Sequence, residues 1–138
     1  MAQKTLKYIS TKMKNIDLCM LCTKSTRGSI ASRPMSNNGD VKYDGNSYFF
    51  SFEKSQKVKD IMQDQAVNLS FVAKDKMFIE VMGKAKIIKS KSIMEEHWVP
   101  SLDQWFKQGV ETPGVVMIVV KASKIKYWHR MEQGEVKA

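Results

Sequence analysis

The stretch VNLSFVAKDKMFIEVMGKAKI, residues 67–87, decides the fold class. Apolar and polar side chains alternate over residues 67–71, and apolar or small side chains occupy every other position over residues 77–87. A period of two is typical of a strand with one buried face. A polar Lys-Asp-Lys segment separates the two halves, so the sequence predicts two antiparallel strands joined by a tight turn.

Strand patterns also extend to both sides of this stretch. Further strands are predicted at residues 17–24, 30–36, 41–43, 47–52, 115–120 and 125–129, with the last two read either as one long strand or as two with a bulge at Ala122-Ser123. Turns are predicted at residues 25–29, 37–39 and 44–46, where Asp-Gly-Asn is a strong hairpin signal. Helical spacing marks residues 5–15, 56–64 and 90–108, the last broken near Pro100.

This order of elements predicts a mainly β domain. Six or seven mostly antiparallel strands with three peripheral helices favour a small barrel, because closure removes exposed strand edges. With 138 residues, 43% of them hydrophobic, the chain is expected to form one domain over residues 1–138. No apolar run approaches the roughly 20 residues of a membrane-spanning helix, and the N-terminus lacks a secretory signal pattern. We therefore expect no membrane partner and a cytoplasmic location.

The net charge of +9 would attract a polyanion or a phosphorylated cofactor. Only Arg27, Arg33 and Arg130 are arginines, and the lysines are dispersed along the chain. A nucleic-acid surface usually concentrates arginines and interleaves them with aromatic residues. The interpretation of a solvated lysine surface is therefore favoured, and no nucleic-acid partner is expected.

Cys19 and Cys22 form a Cys-x-x-Cys motif that a redox pair or half a zinc site would share. There is no second cysteine pair, and His97 and His129 have no ligand spacing. Residues three apart on a strand point to opposite faces. Two reduced, buried thiols are predicted, with no metal.

Two segments bring positive charge to places suited to phosphate. Arg33 and Met35 share a strand face around Pro34, which indicates an edge or bulge and so holds Arg33 at a rim. In the second segment, Ser55 caps a predicted helix that carries Lys57 in its first turn. A helix N-terminus offers unpaired N–H groups and a positive dipole end. Taken singly, each motif also fits an ordinary cap or surface cation.

No hydrolytic triad, carboxylate pair or His-Glu-x-x-His motif is present, and His97 is interpreted as a surface or packing histidine. Several motifs in one order nevertheless form a pattern. They are Arg-Pro-Met at residues 33–35, Phe-Phe-Ser at 49–51, Ser-Gln-Lys at 55–57, the strands at 67–71 and 78–85, the aromatic segment 98–106 and Tyr-Trp at 127–128. Over residues 9–128 the chain resembles the pyridoxamine 5′-phosphate oxidase-like split-barrel flavoproteins, most closely their general stress protein 26 branch.

The resemblance implies a six-stranded antiparallel split β-barrel that forms a homodimer and binds FMN, or alternatively FAD, at the subunit interface. It assigns the flavin phosphate to Arg33 and Lys57, aided by Ser55 and Gln56. It places the ribityl chain and ring edge along Arg33, Pro34, Met35, Ser36, Phe50 and Ser51. It brings Trp128 and Trp105 near the ring from the partner subunit.

An oxidoreductase with an unknown small-molecule substrate is the expectation, since the flavin itself carries the electron chemistry. The tail after Trp128 lacks the length that true pyridoxamine phosphate oxidases use for their substrate, which disfavours that substrate. Three alternatives stay open: a flavin-binding or sensing module without turnover, a split barrel that binds deazaflavin or haem, and a basic nucleic-acid-binding barrel.

Overall fold

The computed structural model describes residues 4–14, 16–37 and 42–137. Its helices and strands, in chain order, are α1 (Leu6–Met13), β1 (Leu18–Lys24), β2 (Ile30–Ser36), β3 (Asn46–Phe52), α2 (Gln56–Gln63), β4 (Ala66–Val72), β5 (Phe78–Ile88), α3 (Lys91–Glu96), β6 (Val115–His129) and β7 (Glu132–Val136). Two short 3₁₀ helices, Pro100–Gln104 and Gly109–Glu111, lie between α3 and β6.

One antiparallel sheet contains all the described strands. Its strand order is β2-β1-β4-β5-β6-β3, and β7 pairs with the C-terminal part of β6. The strands β2 and β3 are the two ends of this path, and no backbone ladder joins them within the described residues. The fold is therefore the predicted mainly β split barrel. The predicted strand count of six holds for the path, and β7 is a seventh strand that the sequence prediction missed.

The alternation in the central hairpin is confirmed. Leu69 and Phe71 on β4 are buried, as are Ile79 and Val81 on β5, while their neighbours along each strand are more exposed. At about 25 cal/mol per Å² of apolar surface removed from water, these inward rows supply much of the stability. Helix α1 contributes Ile9, which is fully buried, to the same core.

The two predicted alternatives for the last strand are each half right: β6 is one long strand, and it contains a bulge at Ser123. Gly83 on β5 faces Ala122, while Met82 faces Lys124, so no residue of β5 stands opposite Ser123 in the strand register. A Cβ atom at Gly83 would lie 2.3 Å from the backbone oxygen of Lys121. Only glycine permits this close approach of two strands.

The predicted hairpin around Asp44 is wrong in its first half. Residues 42–43 are not in a strand, and Val41 lies outside the described residues, as does most of the predicted turn at 37–39. Tyr43 is buried instead, and its backbone N–H donates to Ser10 Oγ at 3.0 Å. The Asp-Gly turn does form, with φ of +102° at Gly45, but it only starts β3.

The predicted helical stripe at residues 90–108 is divided into α3 and a 3₁₀ helix that begins at Pro100. These elements pack on the outer face of β3 and β6 and form a second apolar cluster around Met94, Phe106 and Met117. This arrangement places residues 97–106, which include several aromatic side chains and are called the flap below, beside the free edge of β3.

Cys19 is buried on β1, as predicted, whereas Cys22 on the opposite face is only half-buried. Both thiols are free. The described part of the chain contains no group of histidine, cysteine and carboxylate side chains that could hold a metal ion.

Candidate functional site

A cavity of about 620 Å³ lies between the two free edges of the sheet. Its wall is formed by residues 34–36 of β2, all of β3, Lys57 of α2, and most of residues 96–106. Side chains from both faces of β3 reach it, so the cavity extends around the edge of that strand. Pockets of this size take small molecules and cofactors.

One end of the cavity is built where β3 leads into α2. Lys57 Nζ donates to Ser51 Oγ at 3.0 Å, and Ser51 Oγ lies 3.2 Å from Ser55 Oγ. Ser55 is the N-cap of α2, yet its side chain makes no capping hydrogen bond. The N–H groups of the first helical turn therefore lack the side-chain acceptor that an N-cap serine usually supplies. This helix end can accept an anion.

Lys57 carries its charge in an unfavourable place. Burial, and to a smaller extent the neighbouring Arg33 charge, lower the pKa of Lys57 below its usual value. Among the described residues Lys57 pairs with no carboxylate, and Ser51 is its hydrogen-bond acceptor. A half-buried ammonium group without a counter-ion would be stabilised by an anion in the cavity.

Arg33 reaches the same region from β2, and its guanidinium group is held by internal partners. Nη1 donates to Thr23 Oγ1 at 2.8 Å and to the Leu21 carbonyl oxygen at 3.2 Å. Nη2 lies 3.6 Å from Asp60 Oδ2, and the Arg33 side chain is one-fifth exposed. Arg33 and Lys57 are electrostatic neighbours, and within the described ranges only Arg33 has a carboxylate partner, which leaves an excess of positive charge.

Another part of the cavity wall is aromatic. The rings of Tyr48 and His97 stack with centroids 3.8 Å apart and planes 14° from parallel. Phe50 meets Trp98 edge to face at 4.8 Å, and Trp98 Nε1 donates to Asp103 Oδ1 at 3.0 Å. Such walls suit a flat ring system, since aromatic rings prefer stacked or edge contacts.

The predicted site residues fall into three groups. Pro34, Met35, Ser36, Phe50, Ser51, Lys57 and Trp105 line the cavity. Arg33, Ser55 and Gln56 are not lining residues and belong to the hydrogen-bond network around Lys57 and Asp60. Trp128 lies elsewhere in the same chain, facing Phe78 on β5 and Gln133 on β7.

Sequence reasoning missed Asp60 and His97. Asp60 is fully buried on α2 and bonded to Thr23 and Gln56. The signal that could have found it is a carboxylate between apolar Val58 and Ile61 on the helix face that turns inward. His97 was interpreted as a surface or packing residue, and it stacks on Tyr48 in the cavity wall.

The split sheet, its edge cavity and the cationic helix end define a split β-barrel with a candidate small-molecule site. The chain matches the family described as "Pyridoxamine 5′-phosphate oxidase like" over residues 4–138. It therefore belongs to the pyridoxamine 5′-phosphate oxidase-like family.

Three solved structures show the same fold. The general stress protein 26 from Bacillus anthracis str. Sterne has 24% identity and a TM-score of 0.77, with 94% of this chain and 95% of that chain covered. The general stress FMN/FAD binding protein from Xanthomonas citri has 18% identity and a TM-score of 0.77, with 92% and 89% covered. A heme binding protein from Mycobacterium smegmatis has 9% identity and a TM-score of 0.79, with 99% of this chain and 59% of that chain covered.

At these identities the likeness concerns the fold and not the ligand. A search of curated protein sequences gave no significant match. In the described ranges, every helix is too short or too polar to cross a membrane.

Proposed function

We propose that this protein binds a flavin, and specifically FMN, with the phosphate at the N-terminus of α2. The observation that carries the proposal is Lys57, a half-buried cation with a lowered pKa and no carboxylate partner in the described ranges. A phosphate monoester has a charge near −2 at neutral pH. It would satisfy both Lys57 and the open helix end.

The residues present fit such a ligand. Ser51, Ser55 and Lys57 would hold the phosphate, with Arg33 adding charge from within the barrel. The aromatic part of the cavity wall offers flat surfaces for a ring system, including the exposed side chain of Trp105. When bound, a flavin supplies hydride and electron transfer. This chain would bind it, orient it and keep water from one face.

A second copy of the chain is the partner that we propose. Val72, Phe78 and Trp128 form a row of exposed apolar side chains across β4, β5 and β6. Leu18, 61% exposed, lies beside Val72 at the wall of a smaller cavity. Contiguous exposed apolar surface usually marks an interface. In a homodimer built on this row, Trp128 would approach the partner's cavity.

The proposed activity is that of a flavin-dependent oxidoreductase of the cytoplasm, acting on a small molecule. Two free thiols, Cys19 and Cys22, fit a reducing compartment. Rapid reduction of the bound flavin by NADH or NADPH in a stopped-flow instrument would support an enzyme. Absence of reduction by either donor would favour a flavin-binding module without turnover.

The cofactor is tested by mass spectrometry of the small molecule released when the purified protein is denatured. We expect FMN. Release of FAD, a deazaflavin or haem would instead identify that molecule as the ligand. Titration of the stripped protein with FMN and with riboflavin, which lacks the phosphate, then measures how much the phosphate contributes to the affinity.

Lys57→Met should weaken FMN binding by about ten- to a hundredfold, the usual value of a charge-assisted hydrogen bond, and leave riboflavin binding unchanged. Lys59→Met, on the exposed side of the same helix, is the control. Equal FMN affinity in Lys57→Met and Lys59→Met would show that the phosphate does not bind at Lys57.

A further inference from the structure

Asp60 lies where burial makes a charged carboxylate energetically unfavourable. Its side chain is fully buried on α2, between Val58 and Ile61, which also face the core. A buried charge costs free energy unless it is paired and hydrogen-bonded. Well-packed apolar residues in place of such pairs are often as stable or more stable, so stability alone gives little reason for a carboxylate here.

Both carboxylate oxygens of Asp60 are used. Oδ1 accepts from Gln56 Nε2 at 2.9 Å, and Oδ2 accepts from Thr23 Oγ1 at 2.9 Å. Thr23 in turn accepts from Arg33 Nη1 at 2.8 Å. An arginine only donates, so Thr23 must give its single hydroxyl proton to Asp60. The direction of the whole chain from Arg33 to Asp60 is thereby fixed.

The same guanidinium group also lies 3.6 Å from Asp60 Oδ2 and donates to the Leu21 carbonyl oxygen. Arg33 is therefore held from two elements, by β1 through Leu21 and Thr23 and by α2 through Asp60. Helix α2 carries Lys57 as well, and the Arg33 charge contributes to lowering the Lys57 pKa. One helix thus sets the relative placement of both cations.

We propose that Asp60 is a positioning residue for the anion site: through Thr23 it fixes the Arg33 guanidinium between β1 and α2, near Lys57, so that the charges of Arg33 and Lys57 act on one phosphate group. This inference rests on the proposed function, since it concerns the same site. It assigns to Asp60 a role in selecting phosphorylated over unphosphorylated ligands.

Positioning and simple charge balance predict opposite results for Asp60→Asn. If Asp60 only neutralises Arg33, its removal leaves the site more positive and FMN binds more tightly. If Asp60 positions Arg33, its removal lets the guanidinium group turn away, and FMN binding weakens although the charge has become more favourable.

The test is the ratio of FMN to riboflavin affinity, measured by fluorescence titration of the stripped protein. We expect Asp60→Asn to lower this ratio by about tenfold, equivalent to about 1.4 kcal/mol, because the Arg33 charge would no longer be held near the phosphate. Thr23→Val removes the hydroxyl link without changing any charge and should lower the ratio in the same direction. Asp64→Asn, at the C-terminal end of the same helix, is the matched control and should leave the ratio unchanged.

Nuclear magnetic resonance of the arginine side chains gives a readout that needs no flavin. The sequence has only Arg27, Arg33 and Arg130, and Arg27 and Arg130 are exposed. Arg33 should show slowed guanidinium rotation and slowed proton exchange in the wild type. Thr23→Val and Asp60→Asn should both remove this protection, whereas Asp64→Asn should keep it. Thr23→Val carries the test if Asp60→Asn fails to fold.

An unchanged or increased ratio in both variants would overturn the inference, and so would protection of Arg33 that survives in Thr23→Val. Those results leave the proposed function standing, because the wild type would still prefer FMN. Failure of the wild type to distinguish FMN from riboflavin would overturn the phosphate assignment itself, and with it the selectivity role of Asp60.

Discussion

Lys57 Nζ donates to Ser51 Oγ at 3.0 Å, and this bond joins the first turn of α2 to the end of β3. The bond uses one of the three donors of an ammonium group. The others have no acceptor among the described residues and can serve the cavity that Lys57 lines. A strand end and a helix start thereby form the corner at which we propose that the phosphate binds.

The pH dependence of FMN binding should report on Lys57. Its pKa is lowered in the free protein by burial and by Arg33, and a bound phosphate would raise it again. Below the lowered pKa, Lys57 is charged before and after binding, so the affinity is flat. Above it, binding must take up a proton, so the FMN to riboflavin affinity ratio should fall over an alkaline pH range that begins below the usual lysine pKa of about 10.4.

Lys57→Arg is the control for this prediction, because arginine stays protonated throughout that range. The variant should bind FMN with a ratio that no longer falls at alkaline pH. Parallel profiles in the two proteins would assign the titration to another group.

Replacement of Phe78 by lysine should separate the proposed dimer. Phe78 is 52% exposed and lies between Val72 and Trp128 in the apolar row. A charge placed in the desolvated centre of an interface leaves an unpaired ion, which costs several kcal/mol. Sedimentation equilibrium should find twice the 15.8 kDa chain mass for the wild type and the single mass for Phe78→Lys.

Ile30→Lys, at an exposed apolar position on β2 outside the row, should remain dimeric. A monomeric wild type at micromolar concentration, or dissociation of both variants alike, would contradict the assignment of this surface.

Gly83→Ala should destabilise the barrel strongly for so small a change. The added Cβ would lie 2.3 Å from the Lys121 carbonyl oxygen, and this backbone atom cannot move aside without breaking the β5–β6 pairing. Overpacking of this kind costs about 1–3 kcal/mol, and occasionally more. Urea unfolding at fixed protein concentration measures it.

Ser123→Ala, at the unpaired bulge position opposite, removes the hydrogen bond to the Met82 carbonyl oxygen but adds no atom. Its expected cost is about 1 kcal/mol or less. A Gly83→Ala variant no less stable than Ser123→Ala would show that the strands can separate there at little cost.

The two cysteines should differ in reactivity. Burial raises the pKa of Cys19 to about 12, so almost none of it is thiolate at pH 8. Cys22 is half-buried on the opposite strand face. With a disulfide reagent at pH 8, the native protein should release colour from Cys22 alone, and urea should expose the second thiol. In Cys22→Ser the native reaction should vanish; a fast-reacting thiol in that variant would contradict the burial of Cys19.

Local patterns predicted most of the fold. The alternation over residues 67–87 predicted β4 and β5 because the burial of one sheet face is encoded every second residue. The strand β7 was missed because Gln133, Gly134 and Glu135 have no strand preference. It forms by pairing with β6, and the Tyr127 ring covers Gly134, whose added Cβ would lie 2.4 Å from the phenol oxygen.

The site was predictable where it is local in sequence. Ser55 and Lys57 lie in one helix start, where the sequence predicted a place suited to phosphate, and Ser51 was added by the family resemblance. Asp60 could not be found that way, because its meaning depends on Thr23, which is 37 positions earlier in the chain. His97 likewise reaches the cavity through the packing of the flap, which the sequence does not reveal.

The proline in the middle of β2 bears on how the chain behaves in a crowded cell. An outer strand of seven residues offers a template on which the strand of another molecule could dock, and such docking starts aggregation. Pro34 has no amide hydrogen to give to a newcomer and resists the regular pleat that growth would require. Pro34 thus disfavours aggregation through the β2 edge, which borders the cavity.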